Sequence, residues 1–295
     1  MPLRFRSLVD LHKAVHASVS SLPSVDLIVG VPRSGLLPAI LISDYLNLPL
    51  TDVDGLRNGY LLRGSPSMSV RRDLQFVPDE ATRILVIDDS VGHGTQIAAT
   101  RASLSTLELS KTIYYAAVYV TPESRNLVDF AFEELPWGRY FGWNLMHRTS
   151  LRNCCLDADG LLWPRHPSVG GDIALPLWKP TKPVGCIVTK RSSHHRAATE
   201  QWLMRHQILF DRLVMAASPI RQTSSMSFAS EARLKASAYR HFDSQMLISD
   251  SYSLSQAIAR LSEKPVISVS AQEIILPRFH HRIASSLRNR LSLSA

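Results

Sequence analysis

The chain has 295 residues, 45% of them hydrophobic and 7% aromatic, with a formal net charge of +8. That balance excludes a disordered or fibrous chain and supports one large or two ordinary globular domains. No apolar run is long enough to span a bilayer, and Met1-Pro2-Leu3-Arg4-Phe5-Arg6 precedes no signal-peptide core. Cys154, Cys155 and Cys186 make neither a disulfide framework nor a zinc set, and read as core thiols. The expectation is a cytoplasmic protein. The excess positive charge has two readings: a basic surface around an anionic substrate, or contact with nucleic acid.

In chain order, Leu8, Leu11, Val15 and Val19 repeat at helical spacing, so the pattern predicts a helix over 5–21. A strand at 26–31 runs into the turn Val31-Pro32-Arg33-Ser34-Gly35, where Arg33 is a fixed cation and the small residues let backbone approach an anion. A helix at 36–46 and a strand at 48–53 follow. The interval Leu56–Val77 is rich in glycine, serine and arginine, and reads as a functional loop or a disordered stretch. The strand Ile84-Leu85-Val86-Ile87 then delivers the adjacent carboxylates Asp88 and Asp89 to a sheet edge. The loop Ser90, Val91, Gly92, His93, Gly94, Thr95, Gln96 opens a helix at 94–108, whose first amides suit a phosphate. A strand at 112–120, a helix at 123–133 and Trp143 complete this half, with Trp143 either stacked on a base or buried.

These segments resemble the type I phosphoribosyltransferase family. Asp88 to Thr95 is similar to that family's motif for phosphoribosyl pyrophosphate (PRPP), except that His93 stands where Thr or Arg is usual. Val31 to Gly35 is similar to its pyrophosphate loop. The resemblance implies a Mg²⁺-dependent transfer of phosphoribose between PRPP and a nitrogenous base or nucleotide. Asp88 and Asp89 would hold the ribose hydroxyls, Gly92–Gln96 the 5′-phosphate, and Arg33–Gly35 the pyrophosphate. It also implies a homodimer and a loop closing over PRPP within 56–77.

In the second half, the strand Cys154-Cys155-Leu156 ends in Asp157-Ala158-Asp159-Gly160. A strand at 184–189 ends in Thr189, a helix covers Arg196–His206, Lys235 lies in a helical stretch, and Met246–Ser249 leads to Asp250. In that order these elements resemble the four motifs of the haloacid dehalogenase (HAD) superfamily. The resemblance implies Asp157 as nucleophile, Asp159 as acid/base, Thr189 and Lys235 on the phosphate, and Mg²⁺ held by Asp157, the Asp159 carbonyl and Asp250. The second acid usual after the last motif is missing, since Tyr252, Ser253, Leu254 and Ser255 follow Ser251.

The organisation expected is α/β, with two doubly wound parallel-sheet domains at 1–151 and 152–270 and a basic amphipathic tail at 271–295. In the tail Arg278, His280, His281, Arg282, Arg288 and Arg290 surround Ile283, Leu287 and Leu291. The leading expectation is a phosphoribosyltransferase of nucleotide metabolism with a phosphatase-like second domain. The alternative is a nucleotide-sensing or nucleotide-depleting subunit of a bacterial defence or stress-response nucleoprotein assembly, docked through the tail.

Overall fold

A computed structural model describes residues 3–62, 78–165, 175–217 and 226–277. The glycine- and arginine-rich interval from residue 63 onward, and the tail expected at 271–295 from residue 278 on, lie outside these residues, as does the effector reading that rests on the tail; the start of that expected tail is corrected, because Glu273–Ile275 is a strand of the second unit's sheet. The chain forms two compact units, Met1–Asn144 and Leu145–Ala295. The division falls ahead of the 151/152 boundary expected from sequence. Residues 145–153 belong with the second unit: Met146 accepts a backbone hydrogen bond from Thr181, and the 3-10 turn Thr149–Asn153 packs on that unit's sheet.

The first unit begins with β1 (Arg4–Arg6) and α1 (Leu8–Ser18). The single helix expected over 5–21 is thus split, because Ser7 caps α1. Its hydroxyl accepts from the Asp10 amide, and the Asp10 carboxylate accepts from the Ser7 amide. There follow β2 (Leu27–Gly30), α2 (Leu36–Leu46), β3 (Leu50–Asp52), α3 (Val53–Asn58), β4 (Arg83–Val91), α4 (Thr95–Leu104), β5 (Thr112–Val120), β6 (Phe130–Glu134) and β7 (Arg139–Phe141). The helix expected over 123–133 is corrected: a 3-10 turn, Pro122–Leu127, gives way to β6. Phe130 and Phe132 enter one core and Ala131 the other, the two-residue period of a strand covered on both faces.

The sheet is parallel throughout, in the order β3-β2-β4-β5-β6. Strand residues alternate between two apolar cores. Leu11 and Val15 of α1 and Ala39 and Ile42 of α2 fill the core that holds Ile28, Leu85 and Ile87. Ile97 and Leu104 of α4 fill the other, with Leu27, Val29, Ile84 and Val86. This is the doubly wound arrangement expected. β1 and β7 pair separately, setting Arg4 opposite Arg139.

The second unit contains β8 (Cys154–Asp157), β9 (Val184–Ser192), α5 (Arg196–Arg205), β10 (Phe210–Ala216), α6 (Phe228–His241), β11 (Met246–Ser249), α7 (Tyr252–Ser262), β12 (Val266–Ser268) and β13 (Glu273–Ile275). Its sheet has the order β10-β9-β8-β11-β12-β13, parallel except for the antiparallel edge strand β13. α6 and α7 cover one face through Ala232, Ala236, Tyr239, Leu254 and Ile258, packed on Cys155, Cys186, Val188, Leu247 and Val266. All three cysteines are buried free thiols. No helix among the described residues is long and apolar enough to cross a membrane.

Candidate functional site

In the first unit the two candidate loops meet where β2 ends. β2 pairs with β4 only as far as Gly30–Ile87, whereas β4 continues alongside β5 to Val91–Val120. The carboxylates Asp88 and Asp89 therefore lie within β4, three residues longer than the strand expected at 83–88, on a stretch β2 no longer flanks. The Val31–Gly35 turn occupies that margin. The Val31 amide donates to the Ile87 carbonyl at 2.9 Å. A Cβ on Gly35 would lie 2.6 Å from the Val31 oxygen, 2.8 Å from the Ile87 oxygen and 3.0 Å from the Asp88 Cα. Only glycine permits that approach, so Gly35 seats the turn on β4. The Pro32–Arg33 peptide is cis. Arg33 is exposed at the tip, and Ser34 and Gly35 lead directly into α2.

Asp88 and Asp89 are nearly buried. The Asp88 Oδ1 accepts from the Asp89 amide at 2.8 Å. Burial, then the neighbouring charge of Asp89, pushes the Asp88 carboxyl well above the usual carboxylate range. Burial also raises Asp89, opposed by hydrogen bonds and by the charge of Arg139. Trp143 donates its indole N–H to Asp89 Oδ2 at 2.6 Å. Its ring stacks on Phe141 at 5.1 Å and on Tyr119 at 6.2 Å. Trp143 is half-buried against these rings, and its indole orients a carboxylate.

Beyond the acids, Gly92, His93 and Gly94 turn the chain into α4. Gly94 has φ +82° and caps α4 without a side chain. Its Cα lies against Leu127, where a Cβ would meet the Leu127 Cδ1. Thr95 and Gln96 are exposed on the first turn, while Ser90 is half-buried. The His93 ring packs on Trp137 at 4.6 Å. A Cβ on Gly92 would lie 2.8 Å from an Arg139 Nη and 3.0 Å from the Trp137 ring. Arg139 is thus a buried cation beside both the glycine loop and Asp89, stacked over Trp137 at 5.2 Å. Sequence reasoning missed Trp137 and Arg139. Arg139 arrives on β7, a short strand whose partner β1 lies at the other end of the unit's sequence, and Trp137 lies just ahead of that strand.

The arrangement can hold a sugar bearing two anionic groups. In chemistry, paired carboxylates suit vicinal hydroxyls, and a glycine turn into a helix start without a side-chain cap suits a phosphate, as does a turn bearing an exposed arginine. Among the described residues no group of three or more His, Cys, Asp or Glu side chains could enclose a metal ion. Two adjacent carboxylates on one strand suit a Mg²⁺ ion that brings most of its coordination from a substrate's own oxygens and whose charge would offset the burial that raises both.

In the second unit the structure brings Asp157, Asp159, Thr189 and Lys235 together from β8, β9 and α6. Lys235, fully buried, lies 2.6 Å from Asp157 Oδ1, 3.0 Å from Asp159 Oδ2 and 2.6 Å from Glu231 Oε1. The Thr189 hydroxyl donates to Asp159 Oδ1 at 2.8 Å, and Trp163 donates to the same oxygen at 3.0 Å. The Lys190 amide donates to Asp159 Oδ2 at 2.8 Å. The Ser249 hydroxyl donates to Asp157 Oδ2 at 2.7 Å. Burial and the Asp159 charge push the Asp157 carboxyl up to about 6 against the pull of Lys235, while the ring of donors holds Asp159 below its usual value. Asp250 follows β11 and abuts Gly160, whose φ of +95° turns the chain after Asp159. A Cβ there would lie 2.9 Å from the Asp250 Cβ.

The divalent ion expected on Asp157, the Asp159 carbonyl and Asp250 does not fit these residues. Arg165 places one guanidinium nitrogen 3.5 Å from Asp157 Oδ2 and donates from it to the Asp159 carbonyl at 3.1 Å. Its other terminal nitrogen donates to Glu231 Oε1 at 2.8 Å. Two of the three expected ligands already face this cation. Arg165, Trp163, Ser249 and Glu231 were not identified from sequence, although the Glu231–Lys235 spacing is that of a helical ion pair.

No protein-family model matches the chain. Xanthine-guanine phosphoribosyltransferase of Cereibacter sphaeroides is 27% identical over 124 residues, which are 40% of this chain and 68% of that protein. The enzyme of the same description from Chromohalobacter salexigens is 31% identical over 122 residues, 41% of this chain and 69% of that protein. Among solved structures, the xanthine-guanine-hypoxanthine phosphoribosyltransferase of Helicobacter pylori is 16% identical, over 49% of this chain and 93% of that one, with a TM-score of 0.37.

Proposed function

The chain belongs to the type I phosphoribosyltransferase family, and from that premise we propose that its first unit transfers phosphoribose between PRPP and a purine base. The convergence of the Val31–Gly35 turn with Asp88 at the Gly35 contact carries this reading. The contact supports it because the loops read as the diphosphate site and the sugar-phosphate site lie on adjacent strands. The purine preference rests on the two xanthine-guanine relatives.

In the reaction a ring nitrogen of the base forms a bond to C1′ of the ribose. The C1′–O bond to pyrophosphate breaks, pyrophosphate leaves with the electron pair, and the nitrogen's proton is released. Positive charge develops at C1′ as the bond to the leaving group lengthens. Asp88 and Asp89 hold the ribose hydroxyls and face that charge, a preorganised field that needs no rearrangement during the step. Gly92–Gln96 hold the 5′-phosphate, with Arg139 behind Gly92, and Arg33–Gly35 hold the pyrophosphate. Mg²⁺ bound with PRPP would sit with Asp88 and Asp89 and neutralise charge on the leaving group.

The second unit we read as HAD-like in arrangement, supported by the order of Asp157, Thr189, Lys235 and Asp250 on strand ends of one parallel sheet. Its phosphatase chemistry is not part of the proposal, because the metal position faces Arg165.

Calorimetric titration of the full chain with PRPP and Mg²⁺ tests the assignment of the first unit. Binding is expected for the wild type and at least about tenfold weaker for the Asp88→Asn/Asp89→Asn variant. Equal binding by the two proteins would remove the acidic pair from the site.

A further inference from the structure

We propose that Arg165 is the built-in counter-ion of the second unit's acidic centre, so that this centre neither needs nor takes a divalent metal. The inference stands on the second unit alone and is independent of the transfer reaction assigned to the first.

A carboxylate offers about four lone-pair directions on its two oxygens. Every oxygen of the Asp157–Asp159 pair is already contacted twice. Asp157 Oδ1 faces Lys235 at 2.6 Å and accepts from the Asp159 amide at 3.1 Å. Asp157 Oδ2 accepts from Ser249 at 2.7 Å and faces Arg165 at 3.5 Å. Asp159 Oδ1 accepts from Thr189 and Trp163, and Asp159 Oδ2 from the Lys190 amide, with Lys235 3.0 Å away. The Asp159 carbonyl accepts from Arg165.

Charge closes the same way. Asp157, Asp159 and Glu231 are met by Lys235, Arg165 and, 3.9 Å from Glu231, Lys190. Asp250, against Gly160, adds a fourth carboxylate, and Arg191, which feels the Asp159 charge and lies over Trp163 at 4.9 Å, a fourth cation; four of each leave no net negative field to draw Mg²⁺ from its hydration shell, which it gives up reluctantly. Arg165 is suited to the place because its planar fork reaches a carboxylate and a carbonyl from one nitrogen and a second carboxylate from the other. Its side chain is 21% exposed, against 0% for Lys235 and Asp157, so it forms the outer wall of the cluster.

Calorimetric titration with MnCl₂ in the absence of PRPP reads this directly, using the full chain as wild type, Asp157→Asn, Arg165→Gln and Arg165→Lys. The wild type, Asp157→Asn and Arg165→Lys are expected to give the same isotherm. Arg165→Gln is expected to gain a site that the added Asp157→Asn change removes. A wild-type site lost in Asp157→Asn would overturn the proposal. So would a folded Arg165→Gln protein that gains no site, since Arg165 would then not be what keeps the metal out.

Discussion

Trp143 donates its indole N–H to Asp89 at 2.6 Å while its ring lies stacked on Phe141. A strand-borne carboxylate is thereby fixed by an aromatic residue more than fifty positions away, and a polar group that burial would otherwise make costly is satisfied. The pair couples the acidic motif to the residues that follow β7. Trp143→Phe keeps the stacking surface and deletes the donor. PRPP affinity is expected to fall about tenfold, consistent with one hydrogen bond to a charged group. Titration with PRPP measures it, and far-UV circular dichroism should be unchanged.

Asp88 trades stability for its position. Its carboxyl titrates well above the usual range because it is buried beside Asp89. The folded protein therefore holds that proton more tightly than the unfolded chain does. Below the unfolded value of about 3.9 the group is protonated in both states and contributes equally. As pH rises above that value, the folded state loses stability relative to a residue that does not titrate. Asp88→Asn is expected to be more stable than wild type at neutral pH. The gap should vanish near pH 3.5–4 in urea melts run across pH. An Asp88→Asn protein less stable than wild type at pH 7 would contradict this assignment.

Gly35 holds the Val31–Gly35 turn against β4 at a distance no side chain allows. Gly35→Ala drives a methyl into two backbone carbonyls, which cannot step aside as a flexible side chain can. The expected cost is about 1–3 kcal/mol of stability with loss of PRPP binding. Gly59→Ala, at a position with nothing around its Cα, is the control for stability of the loop region; its φ of +74° confines its own cost to local strain.

Lys235 joins three carboxylates in a cluster from which water is excluded. Burial, the largest single effect, lowers its ammonium, but Asp157, Asp159 and Glu231 together outweigh it and hold the group above its ordinary value. A raised ammonium contributes stability fully below its unfolded value near 10.4 and loses it as pH climbs through the folded one. Lys235→Met is therefore expected to cost about 3–5 kcal/mol throughout the neutral range. Chemical denaturation monitored by tryptophan fluorescence reads the loss, because Trp163 donates to Asp159 within the same cluster.

Much of this was legible because the relevant signals are local. Apolar runs ending in Asp88 and Asp157 mark buried parallel strands whose carboxyl ends deliver acids. Gly35 and Gly94 mark turns that a Cβ would obstruct. The Ser7–Asp10 capping box was equally local, and merging residues 5–7 into the first helix passed over it. The 123–133 segment misled because Phe130-Ala131-Phe132 serves two cores at a two-residue period in a run too short to outweigh its helix-compatible neighbours. What local pattern could not supply is pairing between distant segments. Arg139 reaches the glycine loop only through the β1–β7 ladder, and Arg165 meets Glu231 across sixty-six positions. The expected metal site failed for that reason: its ligands were readable, and the arginine that faces them was not.

Transfer of phosphoribose at the Asp88–Asp89 site is read out by pyrophosphate release from the full chain with PRPP, Mg²⁺ and, in turn, xanthine, guanine, hypoxanthine, adenine and orotate. Release is expected to depend on at least one of the purine bases and to fall by about a hundredfold or more in Asp88→Asn/Asp89→Asn. No base-dependent release from a wild-type protein that binds PRPP, or undiminished release from the variant, would contradict it.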